Sequence, residues 1–276
     1  ANGASVTQAD TDGFTPLYIA AVSGHLHVVQ WLAQNGGSVT QAANNNVTPL
    51  YTAAEHGHLE VVQWLAANGA SVVQADNSGR TPLWGAAMKG HLEVVQWLAQ
   101  NGASVVQADN DGVTPLWVAA KMGRFEVVQW LAANGASVVQ PNNDGVTPLY
   151  IAAEIGRLDI VQWLAANGGA SSVTQADNDG WTPLSVAAQE GHPEVVQWLA
   201  QNGASLTAKN KDGETPQMIA NKNLNVSIAN WLEEEARRRK ERIALGLAAV
   251  GRTQKDGSFP RLPPEMRQLI AKELKS

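Results

Sequence analysis

Residues 109–141 read DNDGVTPLWVAAKMGRFEVVQWLAANGASVVQP, and this stretch decides the fold. Asp109, Asn110, Asp111 and Gly112 make a turn signal. Thr114 then suits the N-cap of a helix and Pro115 its first position, where a missing N–H removes no hydrogen bond. Leu116, Ala119 and Ala120 give this helix a small-residue inner face, and Gly123 ends it. Phe125, Val127, Val128, Trp130 and Leu131 recur at helical spacing until Asn134 and Gly135 stop a second helix. The unit is turn, helix, turn, helix, and neither short helix can bury its apolar stripe without a neighbour.

Repetition supplies the neighbours. The pair Thr-Pro recurs with Thr15, Thr48, Thr81, Thr114, Thr147, Thr182 and Thr215, at steps of 33, 33, 33, 33, 35 and 33 residues. Trp31, Trp64, Trp97, Trp130, Trp163, Trp198 and Trp231 follow sixteen residues behind each Thr. A fixed period near 33 residues means a solenoid of stacked units. The tryptophans read as one core position repeated. The 35-residue step comes from residues 167–173, two residues longer than the equivalent stretch elsewhere, and predicts a tolerated loop insertion.

The pattern Asp-x-x-Gly-x-Thr-Pro-Leu, then Ala-Ala-x-x-Gly-His, then Val-Val-x-Trp-Leu and Asn-Gly-Ala, resembles the ankyrin repeat family over residues 1–232. The resemblance implies an all-α, right-handed solenoid of 33-residue helix-turn-helix units with β-turn or hairpin tips. On this reading residues 1–9 are the tail of an incomplete upstream repeat and 10–232 are seven repeats. A charged capping extension follows at 233–250, then a linker at 251–261 and a last helix at 262–276. The chain departs from the family pattern in places. The His usual after Thr-Pro-Leu is replaced by Tyr18, Tyr51, Trp84, Trp117, Tyr150, Ser185 and Met218, Trp stands for the first leucine of the second helix's leucine pair, and Asn46 stands for the turn glycine. Asn is the best non-glycine substitute at positive φ.

Composition excludes several function classes. The chain has no cysteine, so disulfide frameworks, thiolate metal sites and cysteine nucleophiles are absent. Residues 1–232 carry 18 acids and 8 bases, which disfavours nucleic acid, whereas residues 233–276 carry 7 acids and 11 bases. No signal peptide or long apolar run addresses the sequence to a membrane, and an intracellular, cytoplasmic location is expected. His25, His58, His91 and His192 occupy the Gly-His position, where the resemblance implies a ring tying the loop to its neighbour. His27 and His56 lack a third ligand nearby, so no metal site is expected. Asp109 to Gly112 and Asp177 to Gly180 fall short of a calcium loop, because Ala120 and Ala188 stand at the twelfth place. No phosphate loop, nucleophile elbow or catalytic carboxylate pair stands outside the repeat register. A non-enzymatic protein without cofactors is the expectation.

The resemblance implies partner docking on the concave side, formed by turn tips and the outer face of the first helices. The residues expected there are Phe14, Val47, Arg80, Met88, Val113, Met122, Val146, Ile155, Trp181 and Glu190. Apolar side chains rimmed by Asp12, Asp111, Glu154 and Asp179 read as a surface for a partner protein. Tyr18, Tyr51, Trp84, Trp117 and Tyr150 lie at its base and are read as inter-repeat packing.

In the tail, Arg237 to Lys240 with Arg242 fits a nuclear signal. Glu233, Glu234 and Glu235, each four residues before an Arg, favour a solvated helix instead. Ile243, Leu245, Leu247 and Val250 are expected to pack back on the last repeat. Leu262, Pro263, Glu265, Ile270 and Leu274 resemble the opening of an F-box, which implies an adaptor subunit of a cullin-type ubiquitin ligase as a second partner. A lone capping helix is the alternative.

Overall fold

The computed structural model describes the backbone of residues 5–252 and the side chains of residues 5–245. Every described regular element is helical. First and second helices alternate as α1 (Pro16–Val22) and α2 (Leu26–Gln34), α3 (Pro49–Glu55) and α4 (Leu59–Ala67), α5 (Pro82–Lys89) and α6 (Leu92–Gln100). Then come α7 (Pro115–Lys121) and α8 (Phe125–Ala133), α9 (Pro148–Glu154) and α10 (Leu158–Leu164), α11 (Pro183–Glu190) and α12 (Pro193–Gln201), α13 (Pro216–Lys222) and α14 (Val226–Arg252). The chain divides into two compact units between Ile151 and Ala152, within α9.

Local chemistry places each first helix. All seven Thr hydroxyls accept the N–H three residues on, from 3.0 Å at Tyr51 to 3.4 Å at Met218. A cap of this kind contributes about 1 kcal/mol. In six of the seven units an asparagine stands four residues after the second-helix tryptophan, and Asn35, Asn68, Asn101, Asn134, Asn167 and Asn202 donate from Nδ2 to the carbonyl of that tryptophan, all at 2.8 Å.

In the first unit Leu17, Leu50, Leu83, Leu116 and Leu149 are fully buried, together with Leu65, Leu98 and Leu131 of the second helices. In the second unit Leu164, Leu184 and Leu199 fill the same places, and Ile160 fills that of Val127. The tryptophans beside those leucines depart from expectation. Trp31 is 54% exposed, and Trp64, Trp97 and Trp130 are half-buried. Adjacent residues on a helix are rotated by about 100°, so burying the leucine centrally leaves the tryptophan at the edge of the packed stripe.

Asn46 takes φ +65° as expected, and its Nδ2 donates to the Ala75 carbonyl at 2.7 Å. Leu224, which stands for glycine in the seventh unit, also takes positive φ (+63°) and is 84% exposed. The two-residue insertion is not a free loop. The chain kinks at Asn167 and Gly168, where Gly168 takes φ +108°, and continues into a 3-10 turn at Ala170–Val173, with Gly169, Ser172 and Val173 buried. Helix α14 carries the charged run, but Leu245 is 71% exposed and does not pack back.

Candidate interaction surface

The turn tips of the first unit are held rigidly. The Asp109 carboxylate accepts the N–H groups of Asp111 at 3.0 Å and Val113 at 2.9 Å, and Asp76 and Asn142 do the same in their own tips. That assigns the first acid of the Asp-Asn-Asp-Gly stretch to closing the turn. Between tips runs a ladder of asparagines at the 33-residue step. Asn44, Asn77, Asn110 and Asn143 each donate from Nδ2 to a carbonyl of the preceding tip: Thr11, Asn44, Asn77 and Asn110 respectively. Their backbone N–H groups bond the preceding tip as well, as in Asn110 to Ser78 at 2.9 Å. Asp111 and Asp144 remain exposed. Sequence reasoning missed this ladder, although the recurrence of Asn two residues before most turn glycines was its visible signal.

Behind the tips, Trp84 and Trp117 are buried and their indole N–H groups donate to the Val113 and Val146 carbonyls at 3.0 and 2.8 Å. Each bond locks a first helix to the tip of the next repeat. The Arg80 guanidinium lies 5.0 Å from the Trp84 ring and 3.9 Å from the Asp109 carboxylate, and Lys121 lies 5.5 Å from the Trp117 ring. Tyr18 and Tyr51 occupy the same buried position. Burial pushes both phenols above their ordinary pKa, and for Tyr51 the negative charges of Glu55 and Asp76 add to it.

The positions expected at the surface divide. Val47 is only 8% exposed and belongs to the core with Tyr18, Ala43 and Tyr51, which corrects its solvent-facing assignment. Phe14 is half-buried, packs on that cluster and stacks on Tyr18 at 4.8 Å. Both pack in one cluster with Tyr18, Ala43 and Tyr51. Val113, Val146, Met88 and Arg80 are half-buried, and Met122 is 44% exposed. In the second unit Trp181 and Ile155 are half-buried and Glu190 is exposed. There Lys211 pairs with Asp179 at 3.0 Å, and Lys222 with Glu214 at 2.7 Å, holding the Glu214 carboxyl below its usual range.

The Gly-His position reaches back to the preceding first helix. His58 and His192 donate from Nε2 to the Val22 and Glu154 carbonyls, both at 2.9 Å. Arg124 donates to Met88 at 3.3 Å and Asn225 to Gln189 at 2.7 Å from the same position. His91 bonds the Glu55 backbone, and burial lowers its pKa below the ordinary histidine value. Among the described residues no group of three or more His, Asp or Glu side chains is placed to hold a metal ion.

The family model described as "Ankyrin repeats (3 copies)" matches residues 2–76, 71–142 and 134–210. The chain belongs to the ankyrin repeat family. A crystal structure of the human ASB11 ankyrin repeat domain superposes on this ankyrin repeat chain with a TM-score of 0.69 at 30% identity, covering 79% of this chain and 96% of that one. No curated protein matches the sequence. Ankyrin repeats are in general protein-interaction modules, and the recurring polar residues here are engaged in stacking the repeats. No helix among the described residues is long and apolar enough to cross a membrane. The F-box-like residues Leu262, Pro263, Glu265, Ile270 and Leu274 lie outside the described residues.

Proposed function

We propose that the protein binds a partner protein on the face formed by the turn tips and the outer side of the first helices. The observation that carries this is the first unit's pairing of an exposed Met122 and half-buried Met88, Val113 and Val146 with the exposed acids Asp111 and Asp144, on tips that hydrogen bonds already hold in place. Such a surface is organised before binding, so little ordering entropy opposes association. Residues 1–151 carry ten acidic and four basic side chains, which favours a segment with apolar anchors flanked by bases. In the second unit Ile155, Trp181 and Glu190 supply the same chemistry. The test is capture from the native source followed by affinity measurement on the captured partner. Met122→Ala and Trp181→Ala should each weaken binding about five-fold or more, as expected of contact anchors losing roughly 1 kcal/mol. Gln63→Ala on a second helix should leave it unchanged. A reversed pattern would move the function to the second-helix side.

A second reading rests on the Leu-Pro-x-Glu opening at Leu262 and the apolar residues Ile270 and Leu274. On that reading the protein delivers its partner to a cullin-type ligase. Removing residues 251–276 should then abolish capture of ligase subunits while leaving the array's partner bound.

A further inference from the structure

Two grooves on the second-helix side occupy equivalent places in the repeat, one in each unit. In the first unit a cavity of about 540 Å³ is lined by Ala99, Gln100, Trp130 and Asn134, with Ala103 and Ser104. In the second unit a cavity of about 330 Å³ is lined by Ala200, Gln201, Trp231 and Glu235, which stand at the same four repeat positions, and by Arg239. Each groove runs from the C-terminus of one second helix, α6 or α12, to the tryptophan of the next.

The second groove shows what this architecture accepts. Arg239 enters it and donates from Nη2 to the Ala200 carbonyl at 2.7 Å, while its Nε lies 3.4 Å from Glu235. The Ala200 carbonyl also accepts the Gly203 N–H at 3.2 Å, so both its lone pairs are used. The Ala99 carbonyl accepts the Gly102 N–H in the same way at 3.2 Å and has the same second acceptor direction. It sits in the last turn of α6, where the helix dipole favours a cation. Asn134 donates its Nδ2 to the Trp130 carbonyl, which leaves Oδ1 as an acceptor at the place Glu235 holds in the other groove.

From this internal template we propose that the Trp130 groove binds an arginine side chain presented by a partner protein. The guanidinium donates to the Ala99 carbonyl and to Asn134 Oδ1 and lies against the indole. Arginine fits better than lysine because a planar fork can bond two acceptors while stacking on an aromatic face. The excess of acids in residues 1–151 attracts such a segment. This surface is separate from the tip face described above, so either can fail without the other.

The test follows indole N–H resonances of the isotope-labelled full chain, with Trp130 assigned through Trp130→Phe, during titration with a capped Gly-Arg-Gly peptide. Capped Gly-Lys-Gly and Gly-citrulline-Gly are the comparisons. The Trp130 resonance should shift saturably with the arginine peptide, at least five-fold more weakly with lysine and not at all with citrulline. Asn134→Glu, which copies the second groove, should tighten the arginine peptide three-fold or more. Arg239→Ala should make the Trp231 resonance respond to the peptide, and Met122→Ala should change nothing. Equal responses to arginine and lysine, or an Asn134→Glu variant with unaltered affinity, would overturn the proposal. So would a silent Trp231 in an Arg239→Ala variant that keeps its helical circular dichroism.

Discussion

Replacing Trp84 by phenylalanine isolates the link between a first helix and the following tip. The indole is buried and donates to the Val113 carbonyl at 3.0 Å, so the substitution removes that donor and leaves the carbonyl only its bond from the Asp109 N–H. A lost neutral hydrogen bond of this kind costs roughly 1 kcal/mol. The smaller ring leaves unfilled volume at this buried position, worth about 1 kcal/mol more. Arg80, 5.0 Å from the indole, loses part of its cation–π attraction, about 0.5 kcal/mol for a half-exposed cation. The total is about 2–3 kcal/mol, which for a unit of this size lowers the melting temperature by roughly 5–10 °C. Urea unfolding gives the stability change, and amide exchange should show the loss concentrated at Val113 and its neighbours. A double-mutant cycle with Arg80→Ala should return a coupling of about 0.5 kcal/mol. An unchanged urea midpoint, or a larger loss from Trp97→Phe at a half-buried position, would refute the assignment of Trp84 as the inter-repeat lock.

Leu98→Ala should cost roughly 2–5 kcal/mol as a fully buried truncation, and Trp97→Ala distinctly less, by urea unfolding of both variants. Leu224→Gly should stabilise by about 1 kcal/mol, since an exposed leucine at φ +63° gains nothing from packing to offset its left-handed backbone; a lower melting temperature would contradict this. His91 has a folded pKa below its unfolded value of 6.5, so its contribution is complete above that value and is lost as pH falls through the lower folded pKa. Unfolding midpoints should therefore drop on acidification below about pH 6.5, and His91→Asn should flatten that drop.

The fold was legible because the residues that set it repeat without dependence on distant context. A Thr-Pro cap, a glycine at positive φ and an Asn-Gly stop act within one turn of the chain, so Thr81 or Asn101 can be read from its neighbours alone. Even Asn46 could be read, since few other residues tolerate the left-handed region. The tryptophan series was misread for a geometric reason. Trp97 and Leu98 both fit a helical apolar stripe, and which of them faces the core depends on where the adjacent repeat packs. Val47 was misread similarly, because its burial depends on Tyr18 in the preceding repeat and Tyr51 in its own. The insertion at residues 167–173 read as a loop because its extra length falls between elements, yet its serine and valine found buried places, and Ser172 Oγ is buried there without a hydrogen-bond partner.

The candidate surface was legible in a different way. In a solenoid, a residue that recurs at every step is explained by stacking, because each repeat must offer the same face to its neighbour. Leu116, Ala119 and the tip asparagines are used up in this manner, and Thr114 is used in capping its own helix. What stacking leaves unexplained are positions whose identity changes from unit to unit: Arg80 against Val113, Met88 against Lys121, Lys89 against Met122. These side chains project from a backbone that the recurring residues hold fixed, so each can change charge or shape at little cost to the fold. Arg239, in the second unit, is a further non-recurring side chain. It lies beyond the repeats, and its bond to the Ala200 carbonyl beside Trp231 is the observation on which the proposal for the Trp130 groove rests.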